Sequence, residues 1–178
     1  MTRFVPIHSD LLVVEKRLNF FDYDRAALEE FFLKLEEPSF RARQVLQWMY
    51  HRRVTDIGAM TDLSLALRRR LKRSMSFDLP AITQEQESID GTRKWLLQLA
   101  DGNGIETVFI PEENRKTLCV SSQAGCALNC AFCATARLGF SRNLTAAEII
   151  GQLWLAEQIL NKDQPGSSRI TNVVMMGM

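Results

Sequence analysis

Three cysteines stand in the segment Gly125-Cys126-Ala127-Leu128-Asn129-Cys130-Ala131-Phe132-Cys133. The Cys-x3-Cys-x2-Cys spacing aims three thiolates at one point and leaves a fourth position open. A 4Fe-4S cube held by four protein thiolates mostly carries electrons, whereas one held by three keeps an iron that can bind a substrate. Two other uses compete. Zinc could recruit Cys119 as a fourth ligand, but structural zinc ligands usually come as two short-spaced couples, and Cys119-x6-Cys126 is not such a couple. A disulfide pair is the third possibility.

A carboxylate is the next candidate. Glu106 lies inside the apolar run Ile105 to Ile110, on the same side of the expected strand as Val108 and Ile110. It either faces solvent from an edge strand or is buried, where it could act as a proton acceptor.

The elements that must position these groups follow from the pattern. Lys116 to Ser122 reads as a strand running into the cysteine loop, and Thr145-Ala146-Ala147-Glu148 is a capping box opening a helix. That helix carries Ile149, Ile150, Leu153, Ala156, Ile159 and Leu160 on its apolar face. A linker, Lys162 to Ser168, leads to a buried-type strand from Ile170 to Met176. Strand, loop, helix and strand form a βαβ unit with parallel strands. Ligands of such folds gather beyond the carboxyl ends of the strands, where the cysteine loop departs. Upstream, Ile82 to Ile89 and Arg93 to Leu99 read as strands joined by a two-residue turn at Asp90-Gly91, with a second turn at Asp101 to Gly104.

The residues before Pro80 have a helical period instead. Asp24 can cap a helix carrying Leu28, Phe31, Phe32 and Leu35, stopped by Pro38. Ser39 starts a second helix with Val45, Trp48 and Met49 on one stripe, and a third runs from about Thr61 to Lys72 with Leu63, Leu67 and Leu71 inward. The expected organisation is a helical module over 1–80 and an α/β unit over 81–178. From Arg41 to Arg73, nine Arg and Lys residues stand against two Asp, a formal +7, although the whole chain is only +1. Such an excess, with Arg68, Arg69 and Arg70 turned partly outward, suits a phosphate backbone, and its alternative is a solvated helix face.

At 178 residues and 46% hydrophobic, the chain can bury one good core or two small ones. It opens Met1-Thr2-Arg3-Phe4-Val5-Pro6 without a signal-peptide run and has no span of about 20 apolar residues, so no membrane partner is expected. A reduced cytoplasmic setting suits the cysteines, and structural disulfides are not expected.

The segments Cys119-Val120-Ser121-Ser122-Gln123-Ala124-Gly125-Cys126, Cys126 to Cys133, and Gly139-Phe140-Ser141-Arg142-Asn143-Leu144 with Glu148-Ile149 resemble the RlmN-type RNA adenine C2 methyltransferases of the radical S-adenosylmethionine (SAM) superfamily. Phe40-Arg41-Ala42-Arg43-Gln44, Trp48-Met49-Tyr50, Asp90-Gly91-Thr92 and Lys94-Trp95 extend the likeness. The resemblance implies an incomplete radical SAM barrel of the partial TIM type. It further implies methylation of adenine C2 in 23S ribosomal RNA and in some transfer RNAs.

By the same resemblance, Cys126, Cys130 and Cys133 would hold a 4Fe-4S cluster, and Gly177 would sit in a SAM-binding turn. Glu106 would accept the C2 proton. One SAM would methylate a cysteine near the carboxyl terminus, and a second would be cleaved to a radical that activates that methyl group. Cys119 would then release the product through a transient disulfide bond. A flavodoxin-type electron donor and a monomeric complete enzyme are implied as well. A related adenine C8 methyltransferase is a close alternative, and an RNA-binding module with a structural cysteine metal site and no catalysis is a distant one. The chain stops at Met178, inside what resembles a Gly-Met-Gly-Glu-Pro turn, and has no cysteine after Cys133. It therefore reads as an amino-terminal fragment, expected to be inactive alone.

Overall fold

The computed structural model describes residues 17–128, 130–131, 133–163 and 170–176. The Met1 to Pro6 opening, Phe132, most of the 162–168 linker and Gly177 lie outside the described residues.

Helix α1, Arg25–Lys34, begins where expected because the Asp24 carboxylate accepts the Ala27 N–H at 2.8 Å, a cap of about 1 kcal/mol. Helix α2, Phe40–Leu46, follows Ser39 and runs on into a wider π turn, Gln47–His51, in which Trp48 and Met49 are both buried. Helix α3 spans Leu65–Ser74, not Thr61 to Lys72, because the Ser64 hydroxyl accepts the Leu67 N–H at 3.2 Å and fixes the start there. Two short strands, β1 (Leu18–Asn19) and β2 (Met75–Ser76), pair in parallel and bracket the three helices. Phe20, Phe21, Leu28, Phe32, Val45, Met49, Leu67 and Leu71 form the core between them.

Five strands make one sheet in the order β3 (Ala81–Glu87), β4 (Arg93–Gln98), β5 (Gly104–Pro111), β6 (Lys116–Ser121), β9 (Asn172–Met176). The first three pairings are antiparallel and β6–β9 is parallel. This is the mixed sheet that one βαβ unit behind a meander produces. The β3–β4 connection corrects the two-residue turn. Ser88 N–H donates to Thr92 O at 2.8 Å and Gly91 N–H to Ser88 O at 2.9 Å, leaving a three-residue loop. Gly91 closes it at φ +81°, a left-handed conformation that a side chain resists. The strand after the linker is also corrected: β9 lies at the sheet edge with Val173, Val174 and Met175 exposed, so its apolar run is not buried here.

Helix α4, Ala146–Asp163, covers one face of the sheet. Its capping box forms as expected: Glu148 N–H donates to Thr145 Oγ1 at 3.2 Å, and Thr145 N–H donates back to Glu148 Oε2 at 2.9 Å. The helix is apolar on two sides because it serves two cores. Ala147 and Trp154 pack into the helical module, while Ala156 and Leu160 join Trp95, Leu97, Ile105, Phe109, Leu118 and Val120 beneath the sheet. Asp22, between β1 and α1, adds a second cap by accepting Ala147 N–H at 2.7 Å. Among the described residues no helix is long and apolar enough to cross a membrane.

Candidate active site

Alternation along β5 buries Ile105, Thr107 and Phe109 toward α4 and turns Glu106, Val108 and Ile110 the other way. On β6, Leu118 and Val120 are buried while Cys119 is half-exposed opposite Val108. Glu106 and Cys119 therefore share a sheet face that no helix covers among the described residues. Lys94 and Leu96 of β4 and Val174 of β9 stand on it too, by their pairing with Val108, Glu106 and Cys119. Glu106 is about one-third exposed, between the two sequence expectations, and its Oε1 lies 3.2 Å from Lys94 Nζ, a diagonal cross-strand ion pair.

The cysteine loop leaves the carboxyl end of β6 through a built neck. Strand β7, Gln123–Gly125, pairs antiparallel with β8, Phe140–Asn143, and Cys126 N–H donates to Gly139 O at 3.2 Å. Gly125 has φ +75°, and a Cβ there would overlap the Gly139 carbonyl, so only glycine lets the two strands close.

Arg142 on β8 fastens the neck to its surroundings. Its guanidinium donates to both Glu148 oxygens at 2.8 Å, to Asp101 Oδ2 at 2.6 Å and to Asn143 O at 3.1 Å. The Arg142 guanidinium holds Asp101 well below the usual carboxylate range, with help from the Asn103 amide. It also lowers Glu148, and the two carboxylates raise Arg142 in turn. The fork geometry suits this bidentate role better than a lysine would.

Within the loop, Leu128 N–H donates to Cys126 Sγ at 3.5 Å and Cys133 N–H to Cys130 O at 3.1 Å. All four cysteines are half-exposed and none is in a disulfide. The structure puts Cys126, Cys130 and Cys133 on one loop, but among the described residues no three Cys, His, Asp or Glu side chains are gathered into a metal-binding group, and Cys119 joins none. The donor chemistry nevertheless fits an iron–sulfur cluster: three accessible soft ligands, one already receiving a main-chain N–H at its sulfur, stand at the strand end where ligands of α/β folds collect.

Several residues to which the sequence assigns no individual role hold this region. Lys94 and Arg142 are two. Gln152, a polar residue inside the otherwise apolar face of α4, is a third; that interruption was the available signal. The arginine cluster also divides. Arg68 donates to Gly58 O at 2.5 Å and Arg70 to Leu35 O at 2.8 Å, so both tie loops to α3. Arg52 lies 4.0 Å over the Trp48 ring, and Arg53 pairs with Glu157 at 2.8 Å. The side chains of Arg43, Arg69 and Arg73 are exposed and make no ion pair or hydrogen bond to another described residue.

Residues 18–76, from the first residue of β1 to the last of β2, match the family described as the ribosomal RNA large subunit methyltransferase N-terminal domain. The chain is 53% identical over 164 residues to the dual-specificity RNA methyltransferase RlmN of Dichelobacter nodosus (strain VCS1703A), covering 92% of this chain and 45% of that protein. Over the residues it contains, the chain is similar to RlmN. Its fold is that of a radical SAM methyltransferase: the crystal structure of one from Sphaerobacter thermophilus superimposes with a TM-score of 0.80 at 38% identity, covering 90% of this chain and 47% of that one. The chain thus spans about half the length of the relatives it matches.

Proposed function

We propose that this chain carries the substrate-facing half of a SAM-dependent methylation of adenine C2 in 23S ribosomal RNA and in transfer RNA. The observation that carries the reading is the placement of Glu106 and Cys119 on one uncovered sheet face, at whose β6 end the three-cysteine loop departs. The similarity to RlmN and to a radical SAM methyltransferase supports the reaction class.

Cys126, Cys130 and Cys133 would hold a 4Fe-4S cluster, and with SAM, whose turn would include Gly177, it would supply the radical chemistry that an unactivated aromatic carbon requires. The chain's own residues do the rest. Glu106 accepts the C2 proton, with Lys94 holding its carboxylate in place on the face. The Cys119 thiolate attacks the sulfur that carries the transferred carbon, on a cysteine this chain does not contain. A sulfur–sulfur bond forms as the carbon–sulfur bond breaks; the bonding pair stays on the transferred carbon, which takes up a proton from solvent and becomes the methyl group of the freed RNA. Arg43, Arg69 and Arg73 meet the phosphate backbone, which positions the RNA without reading its bases. A flavodoxin-type donor would supply electrons, the helical module over 1–80 would serve as the RNA-binding part, and the cytoplasm would be the setting.

The test uses a protein of the relatives' full length bearing these residues, supplied with SAM, a low-potential reductant and 23S ribosomal RNA. The reading expects 2-methyladenosine by nucleoside mass spectrometry. 8-Methyladenosine, or unmodified RNA from an iron-loaded protein, overturns it.

A further inference from the structure

Gln152 is 1% exposed, yet its carboxamide meets four partners. Oε1 accepts the Ser121 N–H at 2.7 Å and the Thr107 hydroxyl at 2.8 Å, while Nε2 donates to Ser121 O at 2.9 Å and Glu148 O at 3.1 Å. A primary amide has two acceptor sites and two donor hydrogens, so every one is used. The placement of the partners is what matters. Ser121 is the last residue of β6 before the neck of the cysteine loop, and Gln152 holds both of its main-chain groups. Thr107 follows Glu106 on β5. Glu148 is the residue whose carboxylate grips Arg142 on the returning strand of the neck. Ser121 is engaged a second time, its hydroxyl donating to Glu106 O at 2.6 Å.

We propose that Gln152 is the positioning residue that sets where the cysteine loop leaves the sheet relative to Glu106 and Cys119. The proposal rests on the reading of that loop as the cluster site. An apolar side chain at this position would leave the Ser121 N–H and C=O, the Thr107 hydroxyl and the Glu148 carbonyl without these partners in a buried place, where an unmade hydrogen bond is expensive. The strand end would then shift or open, carrying the neck with it, while the helical core around Leu28 has no direct link to the amide. Gln152→Glu keeps an oxygen for Ser121 N–H and Thr107 and, protonated in this buried place, offers one donor hydrogen where the amide offers two to Ser121 O and Glu148 O, so it should fall between wild type and Gln152→Met.

The experiment compares this chain with its Gln152→Met and Gln152→Glu variants, each reconstituted anaerobically with iron and sulfide. Amide hydrogen exchange at Ser121 and Leu28 and the rate of iron loss to a chelator are measured together. The expected result is Ser121 exchange about tenfold faster or more in Gln152→Met, Leu28 unchanged, iron loss accelerated, and Gln152→Glu intermediate in both. Unchanged Ser121 exchange overturns the proposal, as does faster exchange with no change in iron loss. Equal acceleration at Ser121 and Leu28 in both variants reduces Gln152 to general stability and also overturns it. If wild type itself takes up no iron, the cluster reading fails first; Ser121 exchange still decides whether Gln152 holds the strand end.

Discussion

Between β1 and β2, every helix turns its apolar stripe inward, and most of the clustered basic side chains are spent on the fold: Arg41, Arg68 and Arg70 tie down main-chain carbonyls, Arg52 lies over Trp48, Arg53 pairs with Glu157 and Lys72 pairs with Asp56. The sheet behaves differently. One face is sealed by α4, and the other carries Lys94, Glu106, Cys119 and Val174 without a covering helix among the described residues. The helical module is a closed core with a charged rind; the sheet is half a core with its reactive groups on the open side. Apolar demand is met on both sides of α4, so what remains uncovered in the sheet is the part suited to chemistry.

The sharpest way to break this contrast is to cut the closed core. Phe32 is fully buried between α1 and its neighbours, and Phe32→Ala should cost about 3–5 kcal/mol, read as a fall in urea midpoint. If the module is the closed unit described, a truncation to alanine at exposed Val174 should cost less than about 0.5 kcal/mol. Equal losses would erase the distinction.

Next in size is the neck. Gly125→Ala places a Cβ against the Gly139 carbonyl at a positive φ, a strain of about 1–3 kcal/mol confined to the loop. Iron uptake should drop several-fold while the melting temperature moves by only a few degrees. A variant that binds iron normally would show that the β7–β8 closure is dispensable.

How much of this was legible in the residues depends on the range of the interactions. Asp24 and the Thr145/Glu148 box act over three residues, so their patterns announce them. The alternation that turns Glu106 away from Ile105 and Thr107 is equally local. The hairpin loop is one residue longer than expected because Asp-Gly fits both loop lengths, and the Ser88 N–H bond to Thr92 decides between them. Gln152 reaches residues 31 and 45 positions away, and Arg142 reaches Asp101 across 41; nothing local marks such partners beyond a polar letter in an apolar stripe. The Arg68-Arg69-Arg70 run looks uniform in sequence, yet helical geometry sends two of the three to carbonyls and leaves Arg69 in water.

A smaller effect sharpens the electrostatic part of the contrast. Arg142 lowers Asp101 and Glu148, so their contribution is fully present above the ordinary carboxylate range near pH 4 and is lost as pH falls through the lowered values. Thermal melting from pH 5 down to pH 2.5 should therefore show a stability loss that shrinks in Arg142→Met. An identical acid profile in the variant would mean that the network contributes nothing to holding the neck.

The smallest expected change concerns the rind. Replacing Arg43, Arg69 and Arg73 by Ala should leave melting unchanged and reduce the salt dependence of RNA binding by about 0.7–0.9 log units of slope for each phosphate no longer neutralised. Replacing Arg68 or Arg70 should lower stability as well, because each leaves a carbonyl without its donor. An unchanged slope in the triple variant would return these arginines to a merely solvated surface.

What the three-cysteine loop holds decides the functional reading, and metal content after anaerobic reconstitution measures that directly. Iron, inorganic sulfide and zinc per chain, read with the visible absorbance, should show a 4Fe-4S cluster in wild type and in Cys119→Ala. Cys126→Ala, Cys130→Ala and Cys133→Ala should each lose it. Stoichiometric zinc in wild type, or loss of metal in Cys119→Ala equal to that in the other three, would make this a four-cysteine structural site and contradict the open-iron reading.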